Sequence, residues 1–448
     1  MDQRPENDVG GTQLRIQPMQ TGLMGRVRVA GDKSISHRAL ILGAIATGES
    51  RMRGFLPGAD CLATLGAMET LGAQIESRSP SELWIRGVGL DGLSPPRADV
   101  DCGNAGTAMR LLAGLCAGQR FTSHLVGTEQ LQGRPMERIC APLRAMGAEI
   151  HADGGTAPLQ IVGRRPLRGV AHTPSVASAQ VKSGILLAGL YADDETEVKE
   201  PGPSRDHTER MLRAMGVNVR TRAPGHVVLA PPTSPLQPLD LQIPADPSSA
   251  AFLMAAATLV PKSDVLLEGV CINPTRDGFR QALLQMGADI VEERPREEGG
   301  ERVADLRIRS ARLRGAHFGG TEMVTLIDEL PLLAAVSTQA TGVTSIEDAA
   351  ELRVKETDRI HTTARMLLNM GMSVTERPAG FQIGGAHAWP GGQGHSMGDH
   401  RLALLFAVMA LTGSQESILQ RADVIDDSFP GFESCLRSLG AHVSREPA

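Results

Sequence analysis

The stretch GDKSISHRALILGA, residues 31–44, sets Asp32, Lys33 and Ser34 at the head of an Ala/Leu run, with Arg38 one turn in. Five other phrases share the design: GNAGTAMRLLAGLCA, ASAQVKSGILLAGL, DPSSAAFLMAAATL, IDELPLLAAVSTQA and GDHRLALLFAVMAL. In each, polar residues introduce a run that is apolar nearly all round, the pattern of a buried helix. A helix N-terminus presents unpaired N–H groups and about half a positive charge, a ready anion site. Lys33, Arg38, Arg134, Arg205, Lys355, Arg359 and Arg401 all stand beside such starts or beside sharp Gly/Pro turns. They suit two anionic substrates carrying phosphate and carboxylate, which arginine grips with two parallel bonds. Asp328 and Glu356 are acids set among these bases, where carboxylates can act as general acid or base. The glycine half of a nucleotide-binding P-loop is missing upstream of Lys33, so its anion is not expected to be a nucleotide.

Each residue also has an ordinary structural use. Asp32, Ser34, Asn104 or Ser178 can serve as a helix N-cap. Arg134, in QGRPMER, can be a solvated loop arginine. Asp328 and Glu329 can favour the dipole of the helix they precede. ELRVKETDRI can be an exposed amphipathic start with Glu356 and Arg359 as an i,i+3 pair, and Arg401 can sit in a structural salt bridge. His37 and His400 have no metal-ligand spacing with other His or Cys, so no metal is expected. No single motif decides the chemistry; their coincidence points to an anion-binding α/β protein of two domains.

The elements that must position these residues form a repeat. METLGAQI, LRAMGAEI, LRAMGVNV, LLQMGADI, LLNMGMSV and LRSLGAHV share an apolar helical stripe, a Leu or Met, a glycine and a β-branched residue. The glycines, Gly72, Gly147, Gly216, Gly287, Gly371 and Gly440, are spaced by 75, 69, 71, 84 and 69 residues. Glycine there fits a left-handed helix end leading into a strand. These helices carry more charge and are expected nearer solvent. Short strands are expected at RVRVA, SELWIRG, PLQIVG, HVVLA, DVLLEGV, DLRIRS, TSIEDA and FQIGG. The longest interval holds EERPREEGGERVADLRI, which reads as a charged, solvated hairpin. The pattern is six α+β modules, three per domain.

Composition bounds the partners. The chain has 448 residues with a net charge of -6 and 3% aromatics. It therefore lacks the basic field and stacking platforms expected of a nucleic-acid binder. AAFLMAAATLV and LALLFAVMALTG fall short of the roughly 20 apolar residues of a membrane helix. The start, MDQRPENDVGGTQ, is polar, lacks the apolar stretch of a signal peptide, and is expected to fray. Six cysteines (Cys61, Cys102, Cys116, Cys140, Cys271 and Cys435) form no C-x-x-C pair, so reduced structural thiols and a cytoplasmic site are expected.

Over residues 23–438 the chain resembles the 5-enolpyruvylshikimate-3-phosphate synthases. The phrases GDKSISHRA, GNAGTAMR, RPMERICAPLRAMGA, SAQVKSGILLAGL, RDHTERML, DELPLLA, LRVKETDR and DHRLAL occur in the family's order. SAQVKSGILLAGL followed by SRDHTE is similar to its class II bacterial branch. The resemblance implies a two-domain inside-out α/β barrel of six βαβαββ repeats, three per domain. Residues 1–30 with 245–448 would form one domain and 31–244 the other, with the active site in the cleft between them. It implies transfer of the enolpyruvyl group of phosphoenolpyruvate to the 5-hydroxyl of shikimate 3-phosphate, on the path to chorismate and the aromatic amino acids. It implies no metal or organic cofactor, small-molecule partners only, and a monomer.

The resemblance also implies roles. Lys33, Asp328 and Glu356 are catalytic: Asp328 as base at the 5-hydroxyl, Glu356 as proton donor to the methylene carbon, Lys33 assisting the proton transfers. Shikimate 3-phosphate is bound by Lys33, Ser34, Arg38, Ser178, Ala179, Gln180, Arg205, Asp328 and Lys355. Phosphoenolpyruvate is bound by Lys33, Asn104, Gly106, Arg134, Gln180, Arg359, His400 and Arg401. Ala179 stands where class I members have a second serine, and Ser428 where they carry a lysine. Glyphosate competes with phosphoenolpyruvate in this family. Gly106 leaves open the space that an alanine fills in the tolerant pattern, while Leu111 replaces a proline common in sensitive enzymes, so at best intermediate sensitivity is expected. The nearest rival is a UDP-N-acetylglucosamine enolpyruvyl transferase, whose usual loop cysteine has no counterpart in GTEQLQGRPMER. A repeat scaffold that only binds and a P-loop kinase are the rivals of other classes.

Overall fold

The computed structural model describes residues 11–448. Most of the polar N-terminal stretch expected to fray, 1–10, lies outside the described residues. Its last two residues do not fray. Thr12 and Gln13 open the strand Thr12–Ile16, which pairs antiparallel with both Ser417–Gln420 and Val443–Pro447. The alternating Leu14 and Ile16, fully buried, hold it in register.

The chain forms two compact units. One comprises the described residues up to Val29 with Ala245–Pro295 and Ala304–Ala448; the other comprises Ala30–Pro244 and Arg296–Val303. Each has its own hydrophobic core. Each holds three four-stranded sheets, and all six sheets repeat one plan. In the plainest copy, Val100–Asp101 runs parallel to Thr122–Val126, which pairs antiparallel with Leu159–Val162, which pairs antiparallel with Glu149–Ala152. Helices follow the first and second strands, giving βαβαββ. Three copies are completed by distant chain. Asp240–Gln242 supplies the parallel edge strand beside Thr47–Arg53, Met24–Val27 does the same beside Asp264–Cys271, and Thr12–Ile16 closes the sheet of the last repeat. The first and last repeats of a chain lack a neighbour to lend them a strand, and this exchange leaves neither unit with an incomplete sheet.

The apolar phrases become the buried helices Lys33–Ile45, Gly106–Ala117, Ala179–Gly189, Pro247–Leu259, Leu330–Ser337 and His400–Leu411. Their small residues permit backbone contact. In the second unit, Gly114 of Gly106–Ala117 lies so close to Gly184 of Ala179–Gly189 that a methyl group would overlap the Gly184 carbonyl oxygen. A methyl on Gly184 would lie 2.6 Å from the Arg110 carbonyl oxygen. The six repeat glycines end the outer helices with φ between 77° and 98°, the left-handed region that suits glycine.

Two sequence expectations need correction. The strand expected at RVRVA is Met24–Val27, so Arg28 onward leaves it. The charged hairpin exists, as Asp289–Glu298 and Glu301–Arg309, but its tip is not solvated throughout. Glu301 is 1% exposed, because the buried ring of His207 meets it within the second unit, Nδ1 to Oε1 at 2.8 Å. Among the described residues no helix is long and apolar enough to cross a membrane.

The glycine contact predicts opposite outcomes for two similar changes. Gly114→Ala should destabilise the protein by about 1–3 kcal/mol, since the two helices must separate. Gly66→Ala lies in helix Ala59–Thr70 with nothing within 4 Å of the new methyl, and should be neutral or stabilising by up to about 1 kcal/mol. Denaturant unfolding of the two variants checks both signs.

Candidate active site

In the second unit the basic residues collect at three helix starts. Asp32 caps Lys33–Ile45 by accepting the Ile35 N–H at 2.8 Å, which makes Lys33 the first helical residue. Lys33 pairs with Asp60, in the first turn of Ala59–Thr70. One turn on, Arg38 is buried yet surrounded by neutral oxygens. Nε donates to Thr208 Oγ1 at 2.7 Å, Nη2 to Ser183 Oγ at 2.7 Å, and Nη1 to the Ser34 carbonyl at 2.8 Å. Arg205 Nη1 donates to Ser34 Oγ at 3.2 Å. Two hydroxyls and a carbonyl orient the guanidinium.

Two further starts meet beside these. Ser178 caps Ala179–Gly189, although its Oγ is a long 3.5 Å from the Val181 N–H. Gln180 donates to Thr107 Oγ1 at 2.9 Å and accepts from Arg110. The Gly114–Gly184 contact thus brings Gln180 within reach of Arg110. Gly106 begins its helix where a methyl group would lie 3.2 Å from Arg134 Nη1 and 3.3 Å from Arg110 Nη1. Asn104 is not the cap of this helix. Ala105 holds that position, and the Asn104 amide bonds Gln130 Oε1 at 2.6 Å and the Thr128 hydroxyl at 3.1 Å.

The first unit builds a different cluster, in which arginines are paired with acids. Arg359 is 2% exposed, not the exposed start that ELRVKETDRI suggested. Its Nε lies 2.8 Å from Asp399 Oδ2, its Nη2 2.6 Å from Glu356 Oε2, and its Nη1 4.0 Å from Asp328 Oδ1. Asp399 is fully buried and also caps His400–Leu411 by accepting the Arg401 N–H at 2.9 Å. Burial would raise the Asp399 carboxyl, but Arg359 and His400 outweigh it and hold the group below its ordinary range. Arg359 is raised in return: burial opposes its charge, and Asp399 and Glu356 overcome that. Lys355 Nζ stands 3.3 Å from Asp328 Oδ1. Arg401 Nη1 pairs with Glu329 Oε1 at 3.0 Å. Ser248 donates to the same oxygen at 2.6 Å, and Arg276 bonds both Ser248 Oγ and Asp246 Oδ1 at 3.0 Å.

The structure therefore gathers the predicted residues into one set per unit: Lys33, Ser34, Arg38, Asn104, Gly106, Arg134, Ser178, Ala179, Gln180 and Arg205 in one, and Asp328, Lys355, Glu356, Arg359, His400 and Arg401 in the other. Sequence reasoning missed Asp60, Arg110, Asp399 and the hydroxyls of Ser183 and Thr208. Asp399 could have been found, since it precedes an apolar helix as Asp32 does. The partners of Arg38 could not, since Ser183 and Thr208 stand 145 and 170 residues away from it. No group of three or more His, Cys, Asp or Glu side chains suited to a metal occurs among the described residues.

This fold is shared by proteins of the enolpyruvyl transferase class. The enolpyruvyl transferase NikO from Streptomyces tendae shares the fold with a TM-score of 0.79 at 16% identity, over 98% of this chain and 100% of that one. Within that class the chain belongs to the EPSP synthase (3-phosphoshikimate 1-carboxyvinyltransferase) family, whose model matches residues 18–436. The 3-phosphoshikimate 1-carboxyvinyltransferase of Desulforudis audaxviator is 47% identical over 428 residues, 95% of this chain and 99% of that protein. Its counterpart in Xanthomonas campestris pv. campestris is 46% identical over 439 residues, 97% of this chain and 99% of that protein. EPSP synthase from Acinetobacter baumannii superposes with a TM-score of 0.88 at 42% identity, over 97% of this chain and 100% of that one.

One residue among these predicts a pH effect. His37 is fully buried, with Nδ1 2.7 Å from Thr64 Oγ1. Burial pushes its pKa down to about 3, although Asp60 opposes this. The unfolded ring titrates near its ordinary 6.5, so the unfolded state takes the proton first. Stability is then full above about pH 6.5 and falls as pH drops toward 3. Between pH 7 and pH 5 this group should remove about 2 kcal/mol of unfolding free energy. The same interval in His37→Gln should lack that component, as denaturant melts at the two pH values will show.

Proposed function

We propose that this chain transfers the enolpyruvyl group of phosphoenolpyruvate to the 5-hydroxyl of shikimate 3-phosphate and releases phosphate. The observation that carries the reading is family membership over nearly the whole chain, with an acid/base cluster at the first unit's buried helix starts. In this reading Arg38 and Ser34 take the shikimate carboxylate, and Ser178, Ala179, Gln180 and Arg205 surround the 3-phosphate. Lys33, Asn104, Gly106, Arg134, Gln180, Arg359, His400 and Arg401 serve phosphoenolpyruvate.

The chemistry follows from where protons can go. Asp328 takes the proton of the 5-hydroxyl as that oxygen bonds to C2 of phosphoenolpyruvate, and Lys355, 3.3 Å away, orients the carboxylate. Glu356 delivers a proton to C3, making a methyl group and a tetrahedral adduct. In the second half the C2–O bond to phosphate breaks, C3 returns its proton to Glu356, the departing phosphate carries off the proton that Asp328 took, and the enol ether remains. Lys33 and the arginines offset the charge on the departing phosphate. We propose that the protein works as a monomer. The six cysteines are unbridged, which fits the cytoplasm, where we place the reaction.

Phosphate release should require both substrates and should fall by about 10²–10⁴-fold in Glu356→Gln and sharply in Lys33→Met. No release from the folded wild-type protein overturns the reading; release with UDP-N-acetylglucosamine as the acceptor instead would reassign it to the sister enolpyruvyl transfer.

We also propose that glyphosate occupies the place of phosphoenolpyruvate. A methyl at residue 106 presses on Arg134 and Arg110 at 3.2 and 3.3 Å, tighter than ordinary van der Waals contact. Gly106→Ala should therefore raise the glyphosate inhibition constant more than the KM for phosphoenolpyruvate, and an inhibition constant that stays put would remove the steric argument.

A further inference from the structure

Two of the residues assigned above to the 3-phosphate, Ser178 and Arg205, lie on different segments that share one buried acid. Glu200 Oε1 accepts the backbone N–H of Ser178 at 2.8 Å. Glu200 Oε2 accepts the hydroxyl of Ser204 at 2.7 Å, and Ser204 immediately precedes Arg205. The same Oε2 lies 3.1 Å from Lys182 Nζ, which also meets Glu209 Oε1 at 2.9 Å and donates to the Ser204 carbonyl at 3.2 Å. All three ionised side chains are at most 4% exposed.

Lys182 stays charged there. Burial alone would lower its pKa, but Glu209 and Glu200 outweigh burial and raise it. A buried ionic cluster of this kind is often no more stabilising than apolar packing of equal volume. It does fix directions, because every bond fails if a partner shifts by about an ångström. The Ser178 hydroxyl is held only loosely by its own helix, at 3.5 Å from the Val181 N–H, and so can turn to a ligand.

We propose that Glu200, held by Lys182 and Glu209, is a positioning residue for phosphate recognition: one carboxylate locks the Ser178 helix start and the Ser204–Arg205 turn into a single register. The proposal rests on the reading that Ser178 and Arg205 hold the phosphate of shikimate 3-phosphate. Glu200→Gln keeps one acceptor oxygen for the Ser178 N–H but sets an NH2 group against the Lys182 ammonium, so the contact through which Lys182 also holds the Ser204 carbonyl must open.

The test uses the full chain, with steady-state kinetics and calorimetric titration of shikimate 3-phosphate and of shikimate, which lacks the phosphate. Glu200→Gln should raise the KM for shikimate 3-phosphate about tenfold or more, the scale of one lost hydrogen bond to a charged group. The KM for phosphoenolpyruvate, kcat and the Kd of shikimate should stay within about twofold, since those contacts are untouched. Ser204→Ala, which removes one hydrogen bond to Glu200 but leaves every charged side chain of the cluster in place, should move the same parameter in the same direction by a smaller factor, and decides the matter if Glu200→Gln does not fold. Equal losses for shikimate and its phosphate, or a wild-type KM in folded variants, overturn the positioning role. Arg205→Ala separates the two readings. If it leaves the KM for shikimate 3-phosphate unchanged, the phosphate assignment itself falls; if it raises that KM while Glu200→Gln and Ser204→Ala do not, only the positioning role falls.

Discussion

A helix that is apolar on every side must be buried, and a buried helix must still satisfy the N–H groups of its first turn. That constraint organises both units. Asp32, Asp246 and Asp399, with Ser178, meet it by accepting N–H groups at the heads of four inner helices. Each cap sits at the polar end of an apolar rod, so acids, bases and hydroxyls are concentrated at helix heads while the rods exclude them. Sites that handle phosphate and carboxylate are built from the material that folding already requires at these ends.

The two units use that material differently. In the second, Arg38 is held by hydroxyls and a carbonyl, which fixes its direction. In the first, Arg359 is shared among Asp399, Glu356 and Asp328. Asp399 has no exposure and holds the guanidinium, while the side chain of Glu356 is 23% exposed and can meet a substrate. Arg359 does not depend on Glu356 alone for its partner, which is what the proton transfer proposed for Glu356 requires.

Close helix packing sets the scale of the geometry. The Gly114–Gly184 contact removes side-chain bulk between two inner helices, and Arg110 and Gln180 at their heads become hydrogen-bond partners as a result. Further into the unit, Glu200 joins the head of one of those helices to the turn before Arg205. The position of each polar group is thus inherited from backbone contacts and buried bonds one layer below it, where packing tolerates little movement.

Much of this was legible in the chain alone. Apolar periodicity located the six inner helices, the recurring Leu/Met-Gly phrase located the left-handed ends of the outer ones, and the ordered motifs brought the family into view. Such features depend on local periodicity and on residue types at fixed spacing, which the chain carries by itself. Tertiary structure decided the rest. It placed Thr12–Ile16 in the sheet of the last repeat, buried Glu301 against His207, and made Arg359 an interior residue. It chose Asp60 for Lys33, and Ser183 and Thr208 for Arg38. These are pairings between segments far apart along the chain, and which polar groups meet is settled only when the backbones of separate repeats close on one another.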